Sequence, residues 1–363
     1  MTADVDFPGV EARPGDRAIA IWLFVCCAMI FVMALIGAIT RLTESGLSIM
    51  EWAPVTGVLP PLTEAEWGRV FALYQQIPEY REVNAGMTLA EFKAIFWWEY
   101  IHRLWGRLIG VVFLLPFLWF LLRRKIRSGL VPHLLAMFLL GGLQGLLGWV
   151  MVASGFAERS DVSQYRLTAH LLAALAIYGY IFWIASGLLQ PPPAVSRDRR
   201  AGLQRGGLLV LLAMVVVTIA SGGFVAGLNA GFIYNSFPLM DGALVPPDYG
   251  ALAPWPVNLF ENVAAVQFNH RVLAMASLLT VLLLWSWSLR LDLEPRLRRA
   301  LAWLLAIAFL QVLLGISTLL LVVPTSLAVL HQAGAITLMT ACLWCLRQAP
   351  RRLTVERAGL ANS

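Results

Sequence analysis

The chain has five histidines, and four of them stand in a pattern. His102 is followed by Arg103, and His270 by Arg271, 168 positions later. His170 and His331 lie 161 positions apart. Between them, Gln144 with Gly148 is matched by Gln311 with Gly315 at an offset of 167. The fifth histidine, His133, belongs to neither set. Neutral imidazole is the commonest metal ligand among side chains. A structural zinc would want four clustered nitrogen or sulfur ligands, and a catalytic zinc three with a water. Two imidazoles brought together from two helices suit instead the axial positions of one heme iron. A lone histidine in an apolar segment reads most simply as a hydrogen-bonded packing residue. Four in matched pairs point to metal or heme.

The stretch Trp97-Trp98-Glu99-Tyr100-Ile101-His102-Arg103-Leu104-Trp105-Gly106-Arg107 sets a carboxylate beside this chemistry. Glu99 precedes His102 by three residues, one turn away on the same helix face. The residue three before His270 is Gln267, which cannot ionise. A charge beside one pair and none beside the other implies different jobs: the first site does chemistry and the second carries electrons. The plainer role for Glu99 is an ion pair with a nearby arginine. Arg103 and Arg271 adjoin the histidines and suit heme propionates. Arg107 follows Arg103 at i, i+4 and suits a propionate or a lipid headgroup equally.

Such groups are costly away from water, and the sequence around them is apolar. The chain is 59% hydrophobic and 13% charged, with a mean hydropathy of +0.74. A soluble domain carries about twice that charged fraction. Eight apolar segments can be read, at roughly 18–40, 95–122, 132–153, 166–189, 206–228, 262–289, 299–322 and 327–347. The expected fold is an all-α integral membrane protein, with eight transmembrane helices forming two pseudo-symmetric four-helix bundles. Basic residues collect in alternate gaps: Arg123, Arg124, Lys125 and Arg127; Arg197, Arg199, Arg200 and Arg205; Arg290, Arg296, Arg298 and Arg299. Arg347, Arg351, Arg352 and Arg357 form the tail. Such loops stay in the cytoplasm, so both termini are expected there and the odd-numbered gaps face outward. The net charge of +6 and pI near 9.4 reflect these loops rather than nucleic-acid binding. The acidic Asp4, Asp6, Glu11 and Asp16 argue against a cleaved signal or transit peptide, and a bacterial inner membrane is the natural location.

The second, fourth, sixth and eighth helices all enter from outside, which sets the four imidazoles at one depth near the outer face. Pro191-Pro192-Pro193 and the basic residues after it read as a cytoplasmic linker, 191–205, between halves 1–190 and 206–363. The matched features suggest duplication of a four-helix unit, as parallel repeats of one orientation. The first outward loop, about 41–94, carries two capping boxes, Thr63 with Glu66 and Thr88 with Glu91. The first should start a surface helix reaching about Gln76, and the second the helix that runs in through Glu99 and His102. Cys26, Cys27 and the Cys342-x-x-Cys345 pair sit in apolar helices and read as packing. Gly141-x-x-x-Gly145 and Gly223-x-x-x-Gly227 permit close helix contact.

Several strings resemble one family. They are Arg41-Leu42-Thr43-Glu44-Ser45-Gly46-Leu47-Ser48, Trp52-Ala53-Pro54-Val55-Thr56-Gly57 with Pro60-Pro61, and Glu91-Phe92-Lys93 through Glu99-Tyr100-Ile101-His102-Arg103. With Phe268-Asn269-His270-Arg271 and His331-Gln332 they resemble heme A synthase over nearly the whole chain. The resemblance implies oxidation of the C8 methyl of heme O to a formyl group, through a hydroxylated intermediate, giving heme A for cytochrome oxidase. It implies that His270 and His331 hold a heme b cofactor, that His102 and His170 hold the substrate heme, and that Glu99 is the catalytic carboxylate. It also implies the farnesyltransferase that makes heme O as a partner, and an electron donor for which no motif stands out. Some members carry a cysteine pair in the first outward loop; its absence here resembles the cysteine-free alphaproteobacterial and mitochondrial branch. A homo-oligomer is compatible with the sequence.

Two rival functions fit the histidines. A diheme b-type electron-transfer protein acting on quinol explains all four, yet not a Glu99 and a long loop in one half only. A heme transporter or chaperone ranks last, since no ATPase motif or ion-coupling site is present.

Overall fold

A computed structural model of the chain describes residues 15–52, 57–153, 155–156, 162–190, 195–196 and 198–352. The linker prolines 191–193 with Arg197, the string Ala53-Pro54-Val55-Thr56, the acidic Asp4, Asp6 and Glu11, and Arg357 lie outside the described residues.

The elements follow the hydropathy pattern. They begin with α1 (Asp16–Leu42), then α2 (Glu64–Tyr74) and α3 (Pro78–Glu82) in the first long loop. Next come α4 (Leu89–Leu122), α5 (Val131–Ala153) and α6 (Gln164–Leu189). A two-residue strand β1 (Val195–Ser196) precedes α7 (Arg199–Gly227), the short α8 (Asn258–Glu261), α9 (Val263–Ser288), α10 (Pro295–Leu320), α11 (Thr325–Gln348) and β2 (Arg351–Arg352). Among the described residues, eight helices are long and apolar enough to cross a membrane, as expected: α1, α4, α5, α6, α7, α9, α10 and α11. A helix closes its own backbone hydrogen bonds, which the hydrocarbon region demands. Apolar side chains left open on the outside, such as Leu122 at 81% exposure and Trp303 at 70%, suit lipid contact.

Both capping boxes form. Thr63 and Thr88 each accept the N–H of the glutamate three residues on, and each glutamate bonds back to the threonine N–H. The surface helix ends at Tyr74, and the chain turns at once into α3, which the sequence reading did not foresee. A small apolar cluster of Trp67, Tyr74, Ile77, Phe92 and Phe96 clamps α2 and α3 to the projecting end of α4.

Within the first four spanning helices, α1 packs on α4 and α6, and α5 on α4 and α6. Within the second four, α7 packs on α9 and α11, and α10 on α9 and α11. The two sets meet along α1, α6, α7 and α11, and one apolar core runs through both. The α6–α7 contact is close because Gly223 and Gly227 face it. A Cβ on Gly223 would lie 2.7 Å from Thr168 Oγ1, and one on Gly227 2.5 Å from Gln164 Cβ. The matching expectation for Gly141 and Gly145 is corrected: a Cβ on either would meet nothing within 4 Å, because this face of α5 turns away from the rest of the chain. The four cysteines are free and buried in α1 and α11.

The arginine-rich end is tied together. Arg127 donates Nε to Asp16 Oδ1 at 3.1 Å, and its Nη2 reaches Oδ2, pinning the start of α1. Arg205 donates to the carbonyls of Leu346 (2.7 Å) and Ala349 (3.1 Å), satisfying the C-terminal end of α11. β1 and β2 pair in parallel beside them. The long loops occupy the opposite end.

Candidate functional site

His270, two turns into α9, faces His331, two turns into α11. Their ring centroids are 6.4 Å apart and their planes are nearly perpendicular, at 84°. Two imidazoles this close would be able to hold one heme iron between them. Each ring is also oriented from behind, as ligating histidines are. Ser221 Oγ lies 2.8 Å from Nδ1 of His270, and Gln311 Nε2 lies 3.2 Å from Nδ1 of His331. Gln311 Nε2 also donates to the His331 carbonyl at 3.0 Å.

In the first half, His102 on α4 and His170 on α6 lie near enough to interact electrostatically, and each has a side-chain partner behind it. Thr40 Oγ1 lies 3.4 Å from Nδ1 of His102, and Gln144 Nε2 lies 3.1 Å from Nδ1 of His170 while donating to its carbonyl at 2.9 Å. Glycine makes room for the rings in both halves. A Cβ on Gly148 would lie 2.9 Å from Cε1 of His170, and one on Gly315 2.8 Å from Cε1 of His331. Among the described residues no group of three or more His, Cys, Asp or Glu could hold a metal ion. The donors present are imidazoles in pairs, a set that fits heme iron.

The residue one turn before each histidine distinguishes the sites. Glu99 is buried at 3% exposure with both oxygens engaged. Oε1 accepts from Arg103 Nε at 3.0 Å, and Oε2 accepts from Ser48 Oγ at 2.8 Å and the Ile49 N–H at 2.7 Å. Arg103 also donates to the carbonyls of Ile49 (2.7 Å) and Glu51 (3.0 Å). At the second site Arg271 donates to Gln267 Oε1 at 2.9 Å and to the carbonyls of Tyr234 (2.6 Å) and Ser236 (2.8 Å). Its Nε is buried without a partner, a donor well placed for a carboxylate such as a propionate. Arg107 and Arg103 line a cavity of about 300 Å³ between α4, α2 and the Pro60-Pro61 turn.

The structure brings Glu99 to Arg103, and His270 to His331, as the spacing predicts. His133 lies at the arginine-rich end, where its Nδ1 is 2.6 Å from the Tyr180 hydroxyl, a packing contact. Ser48, the last residue of the Arg41–Ser48 string, and the Ile49 N–H beside it carry no sequence signal as partners of Glu99. Gln144 and Gln311 were read only as repeat markers. Glu79, in Pro78-Glu79-Tyr80-Arg81-Glu82, gave no signal at all. It looks like a surface residue and is 4% exposed. Burial and the negative Glu99 and Glu44 push its carboxyl up to about 8.

Comparison with known proteins agrees with this geometry. Residues 20–343 match the family model COX15-CtaA, described as cytochrome oxidase assembly protein. The chain is 53% identical over 349 residues to a heme A synthase of Rhodospirillum centenum, covering 95% of this chain and 93% of that protein. It is 50% identical over 341 residues to a heme A synthase of Nitrosospira multiformis, covering 93% and 95%. A heme A synthase of Paramagnetospirillum magneticum is 49% identical over 345 residues, covering 94% and 96%. With matched histidine pairs on spanning helices and a sequence match over nearly its full length, this chain belongs to the COX15-CtaA family of cytochrome oxidase assembly proteins.

Proposed function

We propose that the chain is a heme A synthase, a membrane oxidoreductase that converts the C8 methyl of heme O to the formyl group of heme A. The observation that carries this is the asymmetry between two otherwise matched histidine pairs. Glu99 stands beside one and Gln267 beside the other. In this reading the half spanning 1–190 binds heme O through His102 and His170, and the half spanning 206–363 binds heme b through His270 and His331; the linker expected over 191–205 is shorter than that, since α7 already begins at Arg199. The recurring helix contacts favour two pseudo-symmetric four-helix bundles derived from one unit. Bound heme b supplies one-electron redox chemistry. Arg271, with its unpartnered Nε, takes a propionate; Arg103 and Arg107 orient the substrate from the cavity side.

Glu99 acts as general base at the substrate methyl. Four electrons leave as methyl becomes aldehyde, through a hydroxylated intermediate, and a carboxylate held by Arg103, Ser48 and Ile49 is fixed to accept a proton on Oε. The hydrogen bonds hold it in one orientation, which is what a positioned base requires. The arginine-rich face lies in the cytoplasm of a bacterial inner membrane, both termini with it, and the two sites lie toward the outer face. In this reading the chain, whose first loop carries no cysteine and whose four cysteines are buried in helices, groups with members that lack the loop thiol pair. Heme O arrives from the farnesyltransferase that makes it, and a quinol or a protein partner is the electron donor.

Acid–acetone extraction and pigment chromatography of the chain, coexpressed with a source of heme O, test this reading. The expected hemes are heme B with heme A or heme O. A diheme electron carrier would yield heme B alone, and that result would overturn the proposal.

A further inference from the structure

α1 and α7 stand in the same relation to the two histidine pairs. A Cβ on Gly37 of α1 would lie 3.2 Å from Cε1 of His102, and one on Gly222 of α7 would lie 3.2 Å from Cε1 of His270. Four residues further on, one turn nearer the loop-bearing end and on the same helix face, the two helices differ. α1 carries Arg41 there, and α7 carries Ala226. A cation thus stands beside the first pair where the second has only a methyl group.

Arg41 is held in place from both halves of the chain. Its Nη2 donates to Asn229 Oδ1 at 3.0 Å, in the turn that follows α7. The residue before it, Thr40, sets Oγ1 3.4 Å from Nδ1 of His102. The Arg41 Nε is buried without a hydrogen-bond partner. Glu79 is near enough to feel the Arg41 charge, yet among the described residues no ion pair joins Arg41 to an acid. A buried donor of this kind costs free energy until a ligand takes it.

The arginines next to the histidines indicate which ligand. At the second site Arg271 keeps a buried Nε without a partner, as Arg41 does. At the first site the matching Arg103 spends its Nε on Glu99, at 3.0 Å. The first site has gained a carboxylate and given up that donor. Arg41 offers the same donor from α1. A guanidinium and a carboxylate form charge-assisted hydrogen bonds, often in planar pairs, and a heme brings two propionates.

We propose that Arg41 binds a propionate of the heme at the His102–His170 pair, as a carboxylate anchor that only this site possesses. The inference rests on the reading of that pair as the heme O site.

The test titrates the full chain, purified in detergent after expression without a heme O source. The probes are heme O and heme O dimethyl ester, whose propionates carry no charge. Soret absorbance gives both dissociation constants for wild type, Arg41→Ala, Arg41→Lys and His102→Ala. Arg41→Ala should bind heme O at least about 10-fold more weakly than wild type, as loss of a hydrogen bond between charged groups requires. It should bind the ester as wild type does. Arg41→Lys, which keeps the charge, should recover part of the loss, and heme B in the second site should be unaltered in both. Equal weakening of heme O and its ester would make Arg41 a contact of the fold and overturn the proposal. Unchanged heme O affinity, or a loss confined to heme B, would overturn it too. His102→Ala tests the underlying reading. If it abolishes heme O binding, a failure at Arg41 falls on Arg41 alone; if it binds heme O normally, the first pair is not the substrate site and both fail.

Discussion

Glu99 and Gln267 hold the same place in the two halves. Each lies four residues ahead of an arginine that hydrogen-bonds it, and each arginine also reaches carbonyls of the loop above. Shape is kept and charge is changed. The first site can take up a proton at this position and the second cannot.

That difference has a cost that can be measured. Arg103→Ala leaves a buried carboxylate without its cation, which should lower stability by about 3–5 kcal/mol. Arg271→Ala leaves neutral groups only, the Gln267 amide and the Tyr234 and Ser236 carbonyls, each short of a donor, at about 1–3 kcal/mol. Thermal unfolding in detergent should rank the two in that order; equal losses would mean that Glu99 is carried neutral.

The glycines behind the ligands predict half-specific losses. Gly148→Ala should push the His170 ring and empty the first site, while Gly315→Ala should push His331 and empty the second. Gly141→Ala, with open space around it, should do neither. Pigment content per chain reads all three, and loss of both hemes from either variant would deny that the sites are separate.

Gln144 and Gln311 each contact a histidine that the proposal assigns to a heme iron. Removing such a supporting contact lowers ligation affinity about 10–100-fold. Gln311→Ala should therefore release heme B under chelating or competing conditions that wild type withstands, while Gln144→Ala retains it. Unchanged retention in Gln311→Ala would show that Ser221 and packing hold the pair alone.

Glu79 gives the stability a pH dependence of known sign. Its carboxyl is raised from 4.5 to about 8 in the folded protein, first by burial and then by Glu99 and Glu44. The folded state therefore binds more protons than the unfolded state between these values, and stability falls as pH rises through that window. Below it the contribution is fully present. Glu79→Gln should flatten this part of the profile in thermal melts; an unchanged slope would assign the dependence elsewhere.

At the other end, Asp16 and Arg127 form a buried pair that joins the start of α1 to the α4–α5 connection. Asp16→Ala should cost about 3–5 kcal/mol while leaving the bound hemes unaltered in kind. A melt indistinguishable from wild type would remove this pair from the fold's essential contacts.

Much of this was written in residue types and spacing. Apolar runs define helices wherever lipid surrounds them, so the eight spans could be read within a few residues. Thr63 and Thr88 could be read as caps because a capping box is local. The histidine pairs were legible because matched residues recur at similar offsets. What escaped depends on contacts distant in sequence. Ser48 and Ile49 reach Glu99 across some fifty positions, and Glu79 is buried only because α3 folds under an aromatic cluster. Gly141 and Gly145 carried a helix-contact spacing, yet a spacing cannot say which face meets a neighbour.

The hemes recovered from purified Glu99→Gln, coexpressed with a heme O source, test the division of labour most directly. Heme B should be present at the wild-type level, with heme O or its hydroxylated form in place of heme A. Heme A at the wild-type proportion would contradict the account.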